Sequence, residues 1–190
     1  SPRRKELLEQ VGVEFEQRVS GKEERYTATE PKEIVKELAL MKAENVASDI
    51  EAEKGLLIDT VVIGADTIVV LDGQILGKPR NEEHAFEMLQ NLQGRSHEVY
   101  TGVAFLSYNK EGKKEVISHA VETKVHVHEM SEKETREYVA TKDPMDKAGG
   151  YGIQGVFAAY IDGIEGDYYN VVGLPVSYVY QQLKEICLMC

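Results

Sequence analysis

Three carboxylates and five cations occupy positions that local propensity does not ask for. Asp66 sits in "TVVIGADTIVVLDG", Thr60 to Gly73, between the apolar runs Val61–Ile63 and Ile68–Leu71. An ionised carboxylate in a half-buried strand costs several kcal/mol unless something compensates it. Glu24 in "SGKEERY" and Asp146 in "DPMDKAGG" are the other acidic candidates. The cations are Arg3, Arg4, Lys42, Lys78 and Lys147. Basic groups alone would fit simple phosphate binding. With carboxylates added, the pattern suggests a divalent metal held between carboxylates and phosphates, which is metal-assisted chemistry at phosphorus. A metal or an attacking water would then compensate the charge of Asp66.

Each cation has a bland alternative. Arg3 and Arg4 fall in the first turn of a helix, where a cation is disfavoured by about 0.3–1 kcal/mol; among free backbone N–H groups they make an anion site, or they are solvated. Lys42 falls inside an apolar stripe, in the row Ile34, Leu38, Val46 beside the row Val35, Ala39, Ala43, Ala47; it either snorkels to water or faces an anion. Lys78 lies in "LGKPRN" and Lys147 precedes the glycine-rich "AGGYGIQG". That loop lacks the G-x-x-x-x-G-K-[ST] pattern of P-loops, and no G-x-G-x-x-G follows a strand, which excludes a dinucleotide fold. His126 and His128 are two apart on a strand, as metal ligands or as solvated side chains. No G-x-S-x-G elbow or local Ser-His-Asp or Cys-His arrangement is present.

The elements that must position these groups read clearly. "SPRRKELLEQVG" is a short helix with Ser1 as N-cap and Gly12 as stop. Pro31 opens and Gly55 closes a longer helix. Asn81 caps a third, stopped by Gly94, and Ser131 with Glu134 forms a capping box for a fourth. Asp72-Gly73 is a hairpin turn. "HEVYTGVAFLSY" and "EVISHAVETKVHVHEM" are strands joined by "NKEGKK", the second with Ile117, Val121, Val125 and Val127 on one face. The glycine loop is expected to run into a strand, "VFAAYI", and Pro175 to open the last helix. The irregular alternation points to α/β with a mixed sheet rather than a purely parallel one.

The chain has 190 residues, enough for a single domain with a sizeable core. Its 22 Lys and Arg stand against 33 Asp and Glu, a net charge of −11, which repels nucleic acid as a whole. No apolar run reaches transmembrane length and no signal-peptide pattern opens the chain. Cys187 and Cys190 form neither a disulfide framework nor a zinc site. A reducing, cytoplasmic setting is expected.

"SPRRKELL", "GADTIVVLDG", "LGKPRN", "GRSHEVYTGV", "KDPMDKAGGYGIQG" and "GDYYNVVGLP" together resemble the Maf family of nucleotide pyrophosphatases, in the expected order along the whole chain. The family is similar to the inosine-triphosphatase superfamily, so the resemblance implies a mixed sheet flanked by helices, with two lobes around a nucleotide cleft. It implies one Maf-like domain over residues 1–190, with the strand that opens family members before Ser-Pro-Arg-Arg not included. It implies hydrolysis of a nucleoside triphosphate between the α and β phosphates, with Mg²⁺ or Mn²⁺. By the resemblance Asp66 is the catalytic aspartate, and Glu24 and Asp66 associate with the metal. Lys78 joins them as a catalytic residue. Ser1, Arg3, Arg4, Lys42 and Lys147 contact phosphates. Arg3, Thr67 and Gln154 resemble the branch acting on dTTP and UTP rather than the one acting on 7-methyl-GTP. Gln154 offers a donor and an acceptor for a pyrimidine edge, or it ties down its own loop. The expected partners are the nucleotide and, at most, a second copy of the chain. A nucleotide-binding regulator of cell division and a general metal phosphatase are the alternative functions.

Overall fold

A computed structural model describes residues 1–188. Cys190, and with it the Cys187–Cys190 pair, lies outside the described residues; Cys187 is exposed and free. The elements run α1 (Pro2–Gln10), α2 (Pro31–Lys54), β1 (Thr60–Leu71), β2 (Gln74–Leu76), α3 (Glu82–Leu92), β3 (Ser96–Tyr108) and β4 (Lys114–Val127). They continue with α4 (Glu132–Ala140), β5 (Ile161–Glu165), α5 (Tyr168–Val172) and α6 (Val176–Leu188).

The fold is α/β, with a five-stranded sheet in the order β2-β1-β3-β4-β5. The described pairings are antiparallel. Val70 of β1 faces Ile75 of β2 across the Asp72-Gly73 turn, and Val125 of β4 faces Ile164 of β5. The β3–β4 hairpin is closed at its tip by Asn109 N–H to the Lys113 carbonyl and at its base by Val127 N–H to the Arg95 carbonyl. Asp72 and Gly73 both have positive φ, 51° and 76°, the signature of a type I′ turn that matches strand twist.

The chain forms two compact units. The first comprises residues 1–66, 101–121 and 173–190; the second comprises 67–100 and 122–172. β1, β3 and β4 each contribute residues to both. In the first unit, α2 lies on the sheet along its small-residue row. Ala39, Ala43 and Ala47 bury against Val62, Ala104, Leu106 and Tyr108. Two strand glycines make this approach possible. A Cβ on Gly64 would stand 2.1 Å from the Ala39 carbonyl oxygen, and one on Gly102 would stand 2.1 Å from that of Val35. Gly in a strand interior marks such close backbone contact.

The second unit has its own core, in which Val69, Leu89, Leu92, Val125, Tyr138 and Phe157 are among the buried members. The helix ends follow their caps: Asn81 accepts the His84 N–H, and the Ser131–Glu134 box is complete. Ser1 occupies the N-cap position of α1, but its side chain makes no capping bond. The expected strand at "VFAAYI" is instead a 3-10 turn over Val156–Tyr160, and β5 begins only at Ile161. Phe157 has turned inward to meet Tyr138, Tyr151 and Tyr160 at centroid distances of 5.1, 4.7 and 5.8 Å. An extended run would have sent these rings to alternate faces.

Candidate active site

The first unit holds five of the charged residues singled out above: Arg3, Arg4, Glu24, Lys42 and Asp66. Lys42, on α2, places its ammonium 2.5 Å from Asp66 Oδ1 on β1 and 2.7 Å from Glu24 Oε1. It therefore faces an anion instead of snorkelling. The Gly64 contact sets this reach, because it seats the Ala39–Ala43 turn of α2 directly on β1. Glu24 belongs to an irregular stretch, residues 13–29, that runs antiparallel along α2. Arg18 pairs with Glu53 at 2.8 Å, Asn45 donates to Ser20 at 3.1 Å, and Glu37 accepts the Thr27 N–H at 2.8 Å.

Arg4 donates from Nε to the Gly173 carbonyl at 2.7 Å, which fixes the plane of its guanidinium. Burial pulls Arg4 below its ordinary value, and the charges of Asp66 and Glu24 oppose that shift. Arg3 is half-buried and makes no hydrogen bond or ion pair among the described residues. Arg4, Arg3 and Lys42 all act electrostatically on the nitrogen of Ser1, so the three cations lie near the start of α1. Asp66 is 8% exposed. Burial pushes its carboxyl above the ordinary aspartate value, and Lys42 followed by Arg4 pull it back. A buried carboxylate paired with one ammonium and within the field of a guanidinium is shielded from bulk water, a setting in which a carboxylate can accept a proton.

One ammonium touches both Asp66 and Glu24, so one cation can bridge these carboxylates. No group of three or more His, Cys, Asp or Glu among the described residues could hold a metal by itself. A hard divalent ion fits a two-carboxylate set when substrate oxygens supply the remaining ligands, which is the usual manner of Mg²⁺ at phosphates. His126 and His128 are occupied elsewhere: His126 contacts Ser96 Oγ at 2.5 Å and Glu165 at 3.4 Å, and His128 contacts Asp162 at 3.4 Å.

The second unit holds Thr67, Lys78, Lys147 and Gln154. Thr67 is half-buried and follows Asp66 on β1. Lys78 is exposed and makes no ion pair among the described residues. The Gly149 N–H donates to the Gly77 carbonyl at 3.1 Å, which brings the "LGKPRN" stretch against the glycine loop. Gln154 is exposed and makes no hydrogen bond among the described residues, so it does not tie its loop down. Lys147 differs from the expectation of an open phosphate contact. Its ammonium donates to the Asp143 carbonyl at 2.8 Å, to Asp143 Oδ1 at 2.8 Å and to Asp146 Oδ1 at 2.9 Å, which uses all three donors. Asp143 and its partner Tyr138 were not among the sequence candidates. The only signal was the Asp-Pro step in "KDPMDK", which marks a turn.

On this α/β sheet a buried carboxylate, Asp66, shares the Lys42 ammonium with Glu24, and the charges of Arg4 and Lys42 act on it. The chain belongs to the Maf family: the model for Maf-like protein matches residues 1–186. It is 49% identical over 185 residues to the dTTP/UTP pyrophosphatase of Lachnoclostridium phytofermentans, covering 97% of this chain and 91% of that one. It is equally 49% identical over 192 residues to the dTTP/UTP pyrophosphatase of Agathobacter rectalis, covering 98% and 94%. The protein of the same name from Bacillus cereus (strain AH820) is 49% identical over 186 residues, covering 97% and 91%.

Proposed function

We propose that the protein hydrolyses nucleoside triphosphates, dTTP and UTP above all, to the monophosphate and pyrophosphate. The observation that carries the reading is the buried Asp66 carboxylate held by Lys42 beside Glu24; the names of its relatives supply the substrate. Asp66 takes a proton from water as the water oxygen bonds to the α phosphorus. The α–β bridging P–O bond breaks, and pyrophosphate leaves with the electron pair. Lys42 keeps Asp66 ionised and fixes the carboxylate's direction. Arg3, Arg4, Lys42 and Lys78 take the phosphate charge, and Ser1 adds polar groups at the end of α1. Glu24 and Asp66 would hold Mg²⁺ or Mn²⁺, which when bound neutralises phosphate charge and favours the attack. Lys147 reaches a phosphate only by exchanging its exposed partner, Asp146.

The base is read by the loop that ends in Gln154, with Thr67 beside Asp66. Uracil and thymine present two carbonyls and one N–H, and an amide side chain matches a donor–acceptor pair of that edge. The two bases differ by one methyl, worth only about 1–3 kcal/mol in a pocket. Both dTTP and UTP are therefore substrates within about two decades of each other, and purine triphosphates are poor. The test is a nucleotide panel with pyrophosphate and orthophosphate measured separately. Pyrophosphate from UTP and dTTP is the expected product. Release of orthophosphate, or a preference for 7-methyl-GTP or inosine triphosphate, overturns the assignment.

A further inference from the structure

Gln154 sits between Gly152 and Gly155, two glycines that both lie beside the Tyr138–Asp143–Lys147 group. The Gly152 N–H donates to the Tyr138 hydroxyl at 3.4 Å. The stem of Lys147 fills the space beside Gly152, where an added Cβ would meet Lys147 Cε at 2.7 Å. At Gly155, the Cβ position looks onto Asp143 Oδ2 at 3.5 Å. Tyr138 and Lys147 are joined by Asp143: the Tyr138 hydroxyl donates to Asp143 Oδ2 at 2.5 Å, and Lys147 donates to Oδ1 at 2.8 Å. One carboxylate thus orients both groups that hold the loop.

The local backbone brings this about. α4 ends at Ala140 with Thr141 as its C-cap, and Lys142 follows with φ 67°, a left-handed residue that turns the chain away from the helix axis. The Asp143 N–H then donates to Thr141 Oγ1 at 3.2 Å, which sets Asp143 opposite Tyr138. Outside the held segment, Tyr151 and Phe157 are buried in the aromatic cluster, with rings 4.7 Å apart. The loop is anchored at both ends and braced within; of residues 152–155, Ile153 is buried and the Gln154 side chain is outward. Burial, and then the bond to Asp143, hold the Tyr138 phenol above its ordinary value, so it remains a donor.

We infer that Tyr138 and Asp143 are positioning residues that set base discrimination, by holding the backbone of residues 152–155 in the conformation that presents Gln154. The inference rests on the base-reading role proposed above for this loop. Neither residue does chemistry on the phosphates, so their loss acts on which base is accepted and not on the rate of bond breaking.

The experiment compares kcat and KM for UTP and for GTP in the wild type, Tyr138→Phe and Asp143→Asn. Tyr138→Phe keeps the ring and its packing and removes one hydroxyl. Asp143→Asn keeps the shape and cannot accept from Tyr138 and Lys147 together. Each variant is expected to raise KM for UTP and to lower the UTP-over-GTP ratio of kcat/KM by roughly three- to tenfold, the scale of one lost hydrogen bond. The kcat for UTP should stay within about threefold. An unchanged ratio in folded Tyr138→Phe overturns the inference, as does a fall in kcat with KM and the ratio unchanged. Gln154→Ala is measured alongside. If it leaves discrimination intact, the role of Gln154 is wrong, while the result for Tyr138→Phe still decides whether the brace sets discrimination through the loop backbone.

Discussion

Gly64 of β1 and Ala39 of α2 meet backbone to backbone, with no room for a methyl group between them. Gly102 and Val35 repeat the arrangement on β3. These contacts seat the helix that carries Lys42. Gly64→Ala is expected to destabilise the protein by at least about 1–3 kcal/mol, the usual range for overpacking. It should also lift the Lys42 turn away from Asp66. Urea midpoints and kcat on the folded fraction check both effects. A variant as stable and as active as wild type would contradict the close approach.

Asp66→Asn keeps the shape of the side chain and removes its charge. The variant should fold and should lose at least about 10²-fold in kcat, within the range of a general base. Circular dichroism and a pyrophosphate release assay separate the two properties. Near-normal turnover would remove Asp66 from the mechanism.

Exhaustive chelation is expected to abolish activity, and Mg²⁺ or Mn²⁺ to restore it. Glu24→Gln should raise the metal concentration needed for half-maximal rate, with the order of base preference unchanged. A metal titration of both proteins decides. Full activity after chelation would count against the metal altogether.

His97 gives a pH dependence of stability unrelated to the reaction. It is fully buried, with Nε2 at 2.6 Å from the Tyr151 hydroxyl and Nδ1 unbonded. Burial, with a smaller push from His126, pulls it from 6.5 down to about 4. The unfolded chain takes up this proton near pH 6.5 and the folded one only near pH 4. Stability is therefore lost as pH falls through that window, by up to about 3 kcal/mol. Urea denaturation at pH 7 and pH 4.5 should show the drop in wild type, and a smaller one in His97→Gln. Equal drops would place the effect on other groups.

Local signals in the chain were strong wherever a single residue decides a local geometry. Asn81, the Ser131–Glu134 box and Asp72-Gly73 each act within a few residues, and each does what its side chain or backbone allows. Lys42 and Asp66 stand out in the sequence for the same reason, a charge inside an apolar pattern, and the two touch. What stayed hidden depends on partners distant in sequence. Phe157 leaves the extended pattern because Tyr138 and Tyr151 await it. The commitment of Lys147 depends on where Asp143 lands after the left-handed Lys142. Nothing in residues 13–29 reveals that Glu37, Asn45 and Glu53 of α2 would hold them.

That last stretch has a thermodynamic consequence. Residues 13–29 have no helix or ladder of their own, and Val19 and Tyr26 are exposed. Side-chain bonds to α2 bring Glu24 to Lys42. Such a segment opens at a free energy far below that of global unfolding. Its amides should exchange with deuterium early, while those of β3 remain protected. Asp66 is a permanent feature of the sheet, whereas Glu24 is present only as often as its segment is docked. Whatever binds to the two carboxylates together selects the docked population, and slower exchange across residues 13–29 is the visible trace of that binding.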